Sequence, residues 1–260
     1  MPTPDEVSGR LLAAYQTRRP IPPLRDALSP TDADGAYAVQ AASVRRWVSE
    51  GRNIVGRKIG LTAVAVQKQL GVDQPDFGVL FDDMQIEDGG TLRVSQVIQP
   101  RAEAEVAFVM QRDLRDPDVT REELAAAIDS AVAAIEIVDS RIADWRITFA
   151  DTVADNGSAA FFVLGETRVP LQGLDLWTCG MVLERNSRIA SLGVGAACLG
   201  HPLDAVLWLA RTLAVRGEHL RAGDILMSGA LGPMIDLSPG DLMRATIAGL
   251  GSVTFHYSDD

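Results

Sequence analysis

Apolar residues recur at helical spacing through roughly the first 70 positions of this chain and at strand-like spacing after that. In residues 6–17, Val7, Leu11, Leu12 and Tyr15 share one helical face, and Arg18-Arg-Pro-Ile-Pro-Pro23 ends the pattern. Ser29 or Thr31 is positioned to cap a second helix running to residue 50, with Tyr37, Ala41, Val44 and Val48 on one face and Gly51 as its stop. A third helix is predicted over 62–70, and residues 53–60 read as a short strand between them.

From Asp73 onward the pattern predicts strands at 77–81, 94–98, 105–110, 134–138, 159–164, 181–184, 225–228, 242–247 and 252–257. Two helices interrupt them. Thr120-Arg-Glu-Glu123 is a capping box opening an alanine-rich helix to residue 133, and 202–216 carries Val206, Leu209, Ala210 and Leu213 on one side. Strands outnumber helices without regular βαβ alternation, so the fold class is α+β and neither a Rossmann fold nor an eightfold βα barrel. The change of character places a helical N-terminal lobe at residues 1–72 and a strand-rich domain at 73–260.

Composition narrows the function. The chain is 47% apolar with a net charge of −11, which disfavours non-specific nucleic-acid binding, and no run of about 18 apolar residues marks a membrane span. The first residues show no secretory pattern, and Cys179 and Cys198 are too few for a disulfide framework or zinc site, so a cytoplasmic location is expected. An anionic ligand would have to be held by local cations or a metal.

The most chemically informative positions are carboxylates where apolar residues belong. Glu103 and Glu105 are two apart at the head of a strand, so they leave from the same face, and Glu136 lies inside Ala133-Ala-Ile-Glu-Ile-Val138. Like charges so placed repel and resist burial unless a cation lies between them. Three oxygen donors suit a hard divalent ion such as Mg²⁺.

Six segments, in order, resemble the 2-keto-4-pentenoate hydratase and 4-oxalocrotonate decarboxylase family of the fumarylacetoacetate hydrolase superfamily. They are Lys58-Ile-Gly-Leu-Thr62, Gly71-Val-Asp-Gln-Pro-Asp-Phe-Gly78, Pro100-Arg-Ala-Glu-Ala-Glu105, Ile135-Glu-Ile-Val-Asp-Ser-Arg141, Asp151-Thr-Val-Ala-Asp-Asn-Gly-Ser158 and Arg221-Ala-Gly-Asp-Ile-Leu-Met-Ser-Gly-Ala230. The resemblance implies a roll-like β structure with flanking helices and a smaller N-terminal lobe. It implies Mg²⁺ or Mn²⁺ on Glu103, Glu105 and Glu136, and substrate-site roles for Lys58, Asp76 and Ser158. It implies an assembly of five or ten subunits, and association with the paralogous decarboxylase. Gly157 stands where the family more often has alanine.

The implied chemistry is water addition to 2-hydroxypenta-2,4-dienoate, from the meta-cleavage of aromatic rings, to give 4-hydroxy-2-oxopentanoate. The alternative is decarboxylation of 4-oxalocrotonate, and a third reading is a non-catalytic partner of that decarboxylase. Met227-Ser-Gly-Ala-Leu-Gly-Pro233 resembles the hydratase branch. A decarboxylase would need an arginine for a second carboxylate, for which Arg57, Arg101 and Arg146 are candidates. Lys58 is expected either to move protons, its pKa lowered near a divalent ion, or to hold substrate oxygens. Asp76 would orient or deprotonate water, and Ser158 would hydrogen-bond the substrate carboxylate. Asp139 and Arg141 are expected to form a structural ion pair or to support the site. His201 precedes a helix and reads as a cap, and Trp145 as a pocket, core or subunit-contact residue. Gly193-Val-Gly-Ala-Ala-Cys198 lacks the lysine of a phosphate loop.

Overall fold

The structure, a computed structural model, describes residues 2–260. Its N-terminal elements are α1 (Pro4–Thr17), α2 (Ala33–Ser49), β1 (Ile54–Gly60), α3 (Val64–Leu70), β2 (Asp76–Phe81), β3 (Gln85–Ile86) and β4 (Thr91–Arg93). The middle holds β5 (Pro100–Met110), α4 (Arg121–Ala125), β6 (Ile128–Asp139), α5 (Phe149–Ala154) and β7 (Ala159–Leu164). There follow β8 (Gly180–Arg185), β9 (Arg188–Val194), α6 (Pro202–Val215), β10 (Ile225–Ala230), β11 (Ile235–Asp236), β12 (Asp241–Ile247) and β13 (Gly251–Ser258). The strands form two sheets: β2-β1-β10-β5-β6-β7-β3, with β11 also on β5, and β4-β13-β12-β8-β9.

The antiparallel pair β5–β6 joins everything, in register from Pro100↔Asp139 to Met110↔Ile128. Because side chains alternate along a strand, Ala104, Val106 and Phe108 of β5 and Ala133, Ile135 and Ile137 of β6 enter one core. There they meet the second sheet's Met243, Val253 and Phe255. The opposite face carries Ala107, Val109, Val132 and Ala134, which join Phe162 and Met227 in a separate apolar cluster. That same face continues to Glu103, Glu105 and Glu136. A single sheet surface is thus apolar at one end and acidic at the other.

Four sequence expectations give way to tertiary context. Helix α2 is capped by Asp32, whose side chain accepts from Gly35, and not by Ser29 or Thr31. Its inner face is rotated from the expected one: Val48 is 47% exposed while Trp47 is buried. Gln40 sets that rotation by donating to the carbonyls of Phe77 (2.8 Å) and Val153 (3.0 Å). The Thr120 capping box forms, but its helix stops at Ala125 and the alanine-rich run becomes β6. A helix preference below about 1 kcal/mol per residue loses to hydrogen bonding with strands on both sides and burial of both faces. No strand forms over 94–98, because the Gln96 side chain takes the Arg93 N–H at 2.8 Å in a 3₁₀ turn.

Strand β9 is not among the expected strands. It pairs with β8 through a tight turn at Asn186-Ser187, both left-handed (φ 53° and 61°), the backbone of a type I′ hairpin. Gly193 approaches the Leu231 carbonyl so closely that a Cβ would lie 1.9 Å from its oxygen, which explains the glycines that superficially suggest a phosphate loop. A domain boundary at residue 72 remains a proposal: β1, inside the first segment, is hydrogen-bonded on both sides to strands of the second. Among the described residues no helix is long and apolar enough to cross a membrane.

Candidate metal and substrate site

The β5–β6 register places Glu136 directly opposite Glu103, and Ala134 opposite Glu105. One ligand oxygen from each of the three glutamates lies within 4.8 Å of the others. Glu105 and Glu136 are 0% and 1% exposed, and Glu103 is half-buried at the open side. Desolvation, then the charge of Glu136, raises the Glu103 carboxyl to about 7. Desolvation and its two neighbours push Glu105 well above the usual carboxylate range. Desolvation also raises Glu136, although Lys58 pulls it the other way.

Glu105 Oε1 and both Glu136 oxygens are buried without a hydrogen-bond partner. Orphaned carboxylate oxygens in so dry a place are costly unless a cation meets them. Three hard donors converging from two adjacent strands fit a divalent ion.

For Glu105 the protein's own compensation is one N–H. Gly229 donates to Glu105 Oε2 at 2.8 Å. It is free to do so because β10 bulges: Met227 pairs with Ala107 and Ala230 with Glu105, leaving one extra residue on β10. Gly229 sits at φ 108°, and a Cβ there would lie 2.5 Å from the Thr62 side chain. The sequence carries a signal for this bulge, a glycine inside an apolar strand, which does not by itself say what the freed amide will meet.

Lys58, on the β1 strand between β2 and β10, is 3% exposed. Its Nζ donates to the Gly157 carbonyl at 3.0 Å and lies 3.4 Å from Glu136 Oε1, in ion-pair range without hydrogen-bond geometry. Desolvation pulls its pKa down, but Glu136, Asp76, Glu103 and Glu105 together outweigh it and the net shift is upward. The carboxylates that would gather a metal surround the amine as well, so this upward shift belongs to the metal-free site, and the expected lowering beside a bound ion stays a proposal.

Three glycines make room for the lysine. A Cβ on Gly157 would come 3.0 Å from Lys58 Cδ, one on Gly78 3.2 Å from the same atom, and one on Gly60 3.2 Å from Nζ.

Asp76 opens β2 opposite Gly60 and is 1% exposed, with Oδ1 unpartnered. Desolvation raises its pKa against the pull of Lys58. It is a buried neighbour of the lysine, not a solvated turn residue. Ser158 is buried in the turn beside Gly157, and its hydroxyl donates to Asp155 at 3.3 Å.

The remaining candidates are engaged elsewhere. Arg57 leaves β1 on the face opposite Lys58 and donates to Glu218 at 2.9 Å. Arg101 shares the Glu103 face, but its Nε is held by Asp236 at 2.6 Å and its guanidinium lies over Trp145, 4.4 Å from the ring centre. Arg146 is 3.5 Å from Asp144. Trp145 donates to the Gln99 carbonyl at 3.0 Å. His201 caps α6, its Nδ1 accepting from Leu203. Arg141 does pair, but with Asp155, because Asp139 is taken by the amides of Ile98 (2.9 Å) and Gln99 (2.6 Å).

A two-sheet α+β roll with a buried, lysine-backed cluster of carboxylates defines a class. A family profile described as fumarylacetoacetate (FAA) hydrolase C-terminal matches residues 47–256, and the chain belongs to that family. It is similar to 2-keto-4-pentenoate hydratase of Paraburkholderia xenovorans, 51% identical over 98% of this chain and 95% of that one. It is 40% identical to 2-hydroxyhexa-2,4-dienoate hydratase of Comamonas testosteroni, over 96% of each. Among solved structures, 4-oxalocrotonate decarboxylase from Pseudomonas putida G7, complexed with magnesium and adipate, superposes with a TM-score of 0.92. That match is 35% identical and covers 98% of this chain and 97% of the other.

Proposed function

We propose that this chain is a hydro-lyase that adds water to 2-hydroxypenta-2,4-dienoate, giving 4-hydroxy-2-oxopentanoate, in the meta-cleavage catabolism of aromatic compounds. The observation that carries it is the set of three convergent carboxylates with orphaned oxygens beside Lys58, in a chain about half identical, over nearly its full length, to 2-keto-4-pentenoate hydratases. A divalent ion held by Glu103, Glu105 and Glu136, Mg²⁺ or Mn²⁺, would stabilise negative charge developing on the 2-oxo acid end of the substrate.

The chain's own groups do the rest. The dienol first becomes an α,β-unsaturated ketone: the 2-hydroxyl loses its proton and the terminal carbon gains one. Lys58, with an N–H held by Gly157 and the rest of its ammonium toward the carboxylates, is placed to pass that proton. Water then adds, its hydroxyl going to the fourth carbon and a proton to the third, and Asp76, buried with a free oxygen, would orient the water or take the proton it gives up. Ser158, in the turn beside Gly157, would hydrogen-bond the substrate carboxylate by turning its hydroxyl from Asp155.

Two observations favour hydration over the alternatives. Arg57, Arg101 and Arg146 are each committed to a carboxylate, which leaves none of them unpaired for a second substrate carboxylate. An inert partner subunit would not need Lys58 and all three glutamates assembled. The deciding assay sets turnover of 2-hydroxypentadienoate, with and without Mg²⁺, beside turnover of 4-oxalocrotonate. Mg²⁺-dependent loss of the dienoate is expected; release of CO₂ from 4-oxalocrotonate as the faster reaction would reverse the assignment.

The family resemblance favours a homo-oligomer of five or ten subunits. Exposed apolar side chains on and near the sheet edge support it: Ile189 is 65%, Leu192 60% and Trp177 58% exposed. Light scattering should return a multiple of the 27.9 kDa chain mass, and a monomer at micromolar concentration would overturn the proposal.

A further inference from the structure

The Gly157 carbonyl that holds Lys58 belongs to an unusual piece of backbone. Asn156, Gly157 and Ser158 are all left-handed, at φ 58°, 62° and 53°. Gly157 adopts it freely, but L-residues pay about 1–2 kcal/mol each, so Asn156 and Ser158 on either side persist there only if their surroundings impose it.

One restraint comes from β2. The Asn156 side chain accepts from Val79 N–H at 2.8 Å and donates to Val79 C=O at 2.9 Å, mimicking a strand partner. The other is Arg141. Its Nη2 donates to the Asp155 carbonyl (2.7 Å) and its Nη1 to the Ala159 carbonyl (3.2 Å), bridging the two ends of the turn. Its Nε and its backbone N–H both donate to the Asp155 carboxylate, at 2.6 Å and 3.0 Å. That carboxylate also accepts the Ser158 hydroxyl. The Arg141 and Asp155 side chains are 3% and 2% exposed. One planar guanidinium closes the base of the loop, and the loop's apex holds the lysine.

We infer that Arg141, through Asp155 and the left-handed turn, is a positioning residue for Lys58, rather than only an ion pair of the core. This rests on Lys58 acting in the reaction. The geometry makes the guanidinium hard to replace: an ammonium is a single point and cannot bond the Asp155 carboxylate and the carbonyls on both sides of the turn together. Without the bridge the turn relaxes, the Gly157 carbonyl withdraws, and Lys58 loses the hydrogen bond that fixes where its ammonium sits beside Glu136.

The test is a double-mutant cycle on the metal-loaded enzyme with 2-hydroxypentadienoate as substrate. Arg141→Lys should lower kcat by roughly 10- to 100-fold, the cost of displacing a reacting group by about an ångström. KM and the Mn²⁺ affinity, read by electron paramagnetic resonance, should stay within about threefold, because no carboxylate at the metal site is altered. In a Lys58→Ala background, assayed at raised enzyme concentration, Arg141→Lys should change kcat by less than about twofold, since a residue acting only through another has nothing left to position.

A folded Arg141→Lys protein with wild-type kcat, or effects of the two substitutions that multiply, overturns the inference. If Arg141→Lys does not fold, Asp155→Asn takes its place in the cycle, and wild-type kcat or multiplying effects overturn the inference there too. Full activity in Lys58→Ala alone refutes instead the lysine's part in the reaction.

Discussion

Lys58→Ala is expected to cut kcat by about 10²–10⁴-fold, the usual range for a lost general acid or base, with little change in metal affinity. The lysine is buried, reaches Glu136 at 3.4 Å and donates a hydrogen bond to the Gly157 carbonyl. Lys58→Arg separates two roles. A guanidinium stays protonated and cannot shuttle protons, so an arginine variant should remain inactive if proton transfer is the task. If the amine only neutralises the substrate carboxylate, arginine should recover much of the rate and alanine should mainly raise KM. Steady-state kinetics of the two variants decides, and an active arginine variant refutes proton transfer while leaving the site in place. The surroundings add a control, because arginine must also fit between glycines 60, 78 and 157. Circular dichroism and Mn²⁺ binding should confirm that the variant is folded before its rate is read.

The second large effect belongs to Glu136. Glu136→Gln keeps the volume and removes one of three anionic donors, and activity at fixed Mg²⁺ should fall by about 10²-fold or more, the several kcal/mol that a metal's charge contributes. Excess Mg²⁺ should restore part of it. The same carboxylates predict a pH dependence. Each has a raised pKa, so the metal-free fold is favoured in their protonated form, and that margin shrinks as pH climbs from the unfolded value through the folded one, about 7 for Glu103. A divalent ion displaces those protons and supplies the missing charge. The rise in Tm produced by Mg²⁺ should therefore be larger at pH 8 than at pH 6, and it should shrink at both in Glu136→Gln. Wild-type Mn²⁺ affinity in that variant would sink the assignment of Glu136 to the metal.

What the sequence makes legible follows the range of the interactions. Glu103 and Glu105 share a face because the period of a strand is two, which two residues suffice to show. Glu136 stands out because a charge inside an apolar run needs a reason. Its place opposite Glu103 is another matter: a slip of one residue between β5 and β6 would turn it to the core, and no short pattern fixes that register. The alanine-rich stretch of β6 misleads for a related reason, since its helix preference is local and its strand partners lie far along the chain. Proximity in sequence points Arg141 at Asp139, whereas its partner Asp155 is set by the turn that also presents Gly157. Backbone carbonyls and amides such as those of Gly157 and Gly229 carry no signature of their own; only the glycine or the bulge that frees them does.

The three glycines around Lys58 define the site by volume withheld. At Gly78 the obstacle is backbone, since a methyl there would sit 2.3 Å from the Asn156 carbonyl oxygen as well as against the lysine stem. The wall formed by β1, β2 and the 156–158 turn therefore has no slack to give, and if the proposed site holds the dienoate, room for a bulkier one would have to come from the other side, where Glu103 is half-buried. Substrate range in proteins built this way would drift along the rim near Arg101 and Trp145, while the lysine's bed stays fixed.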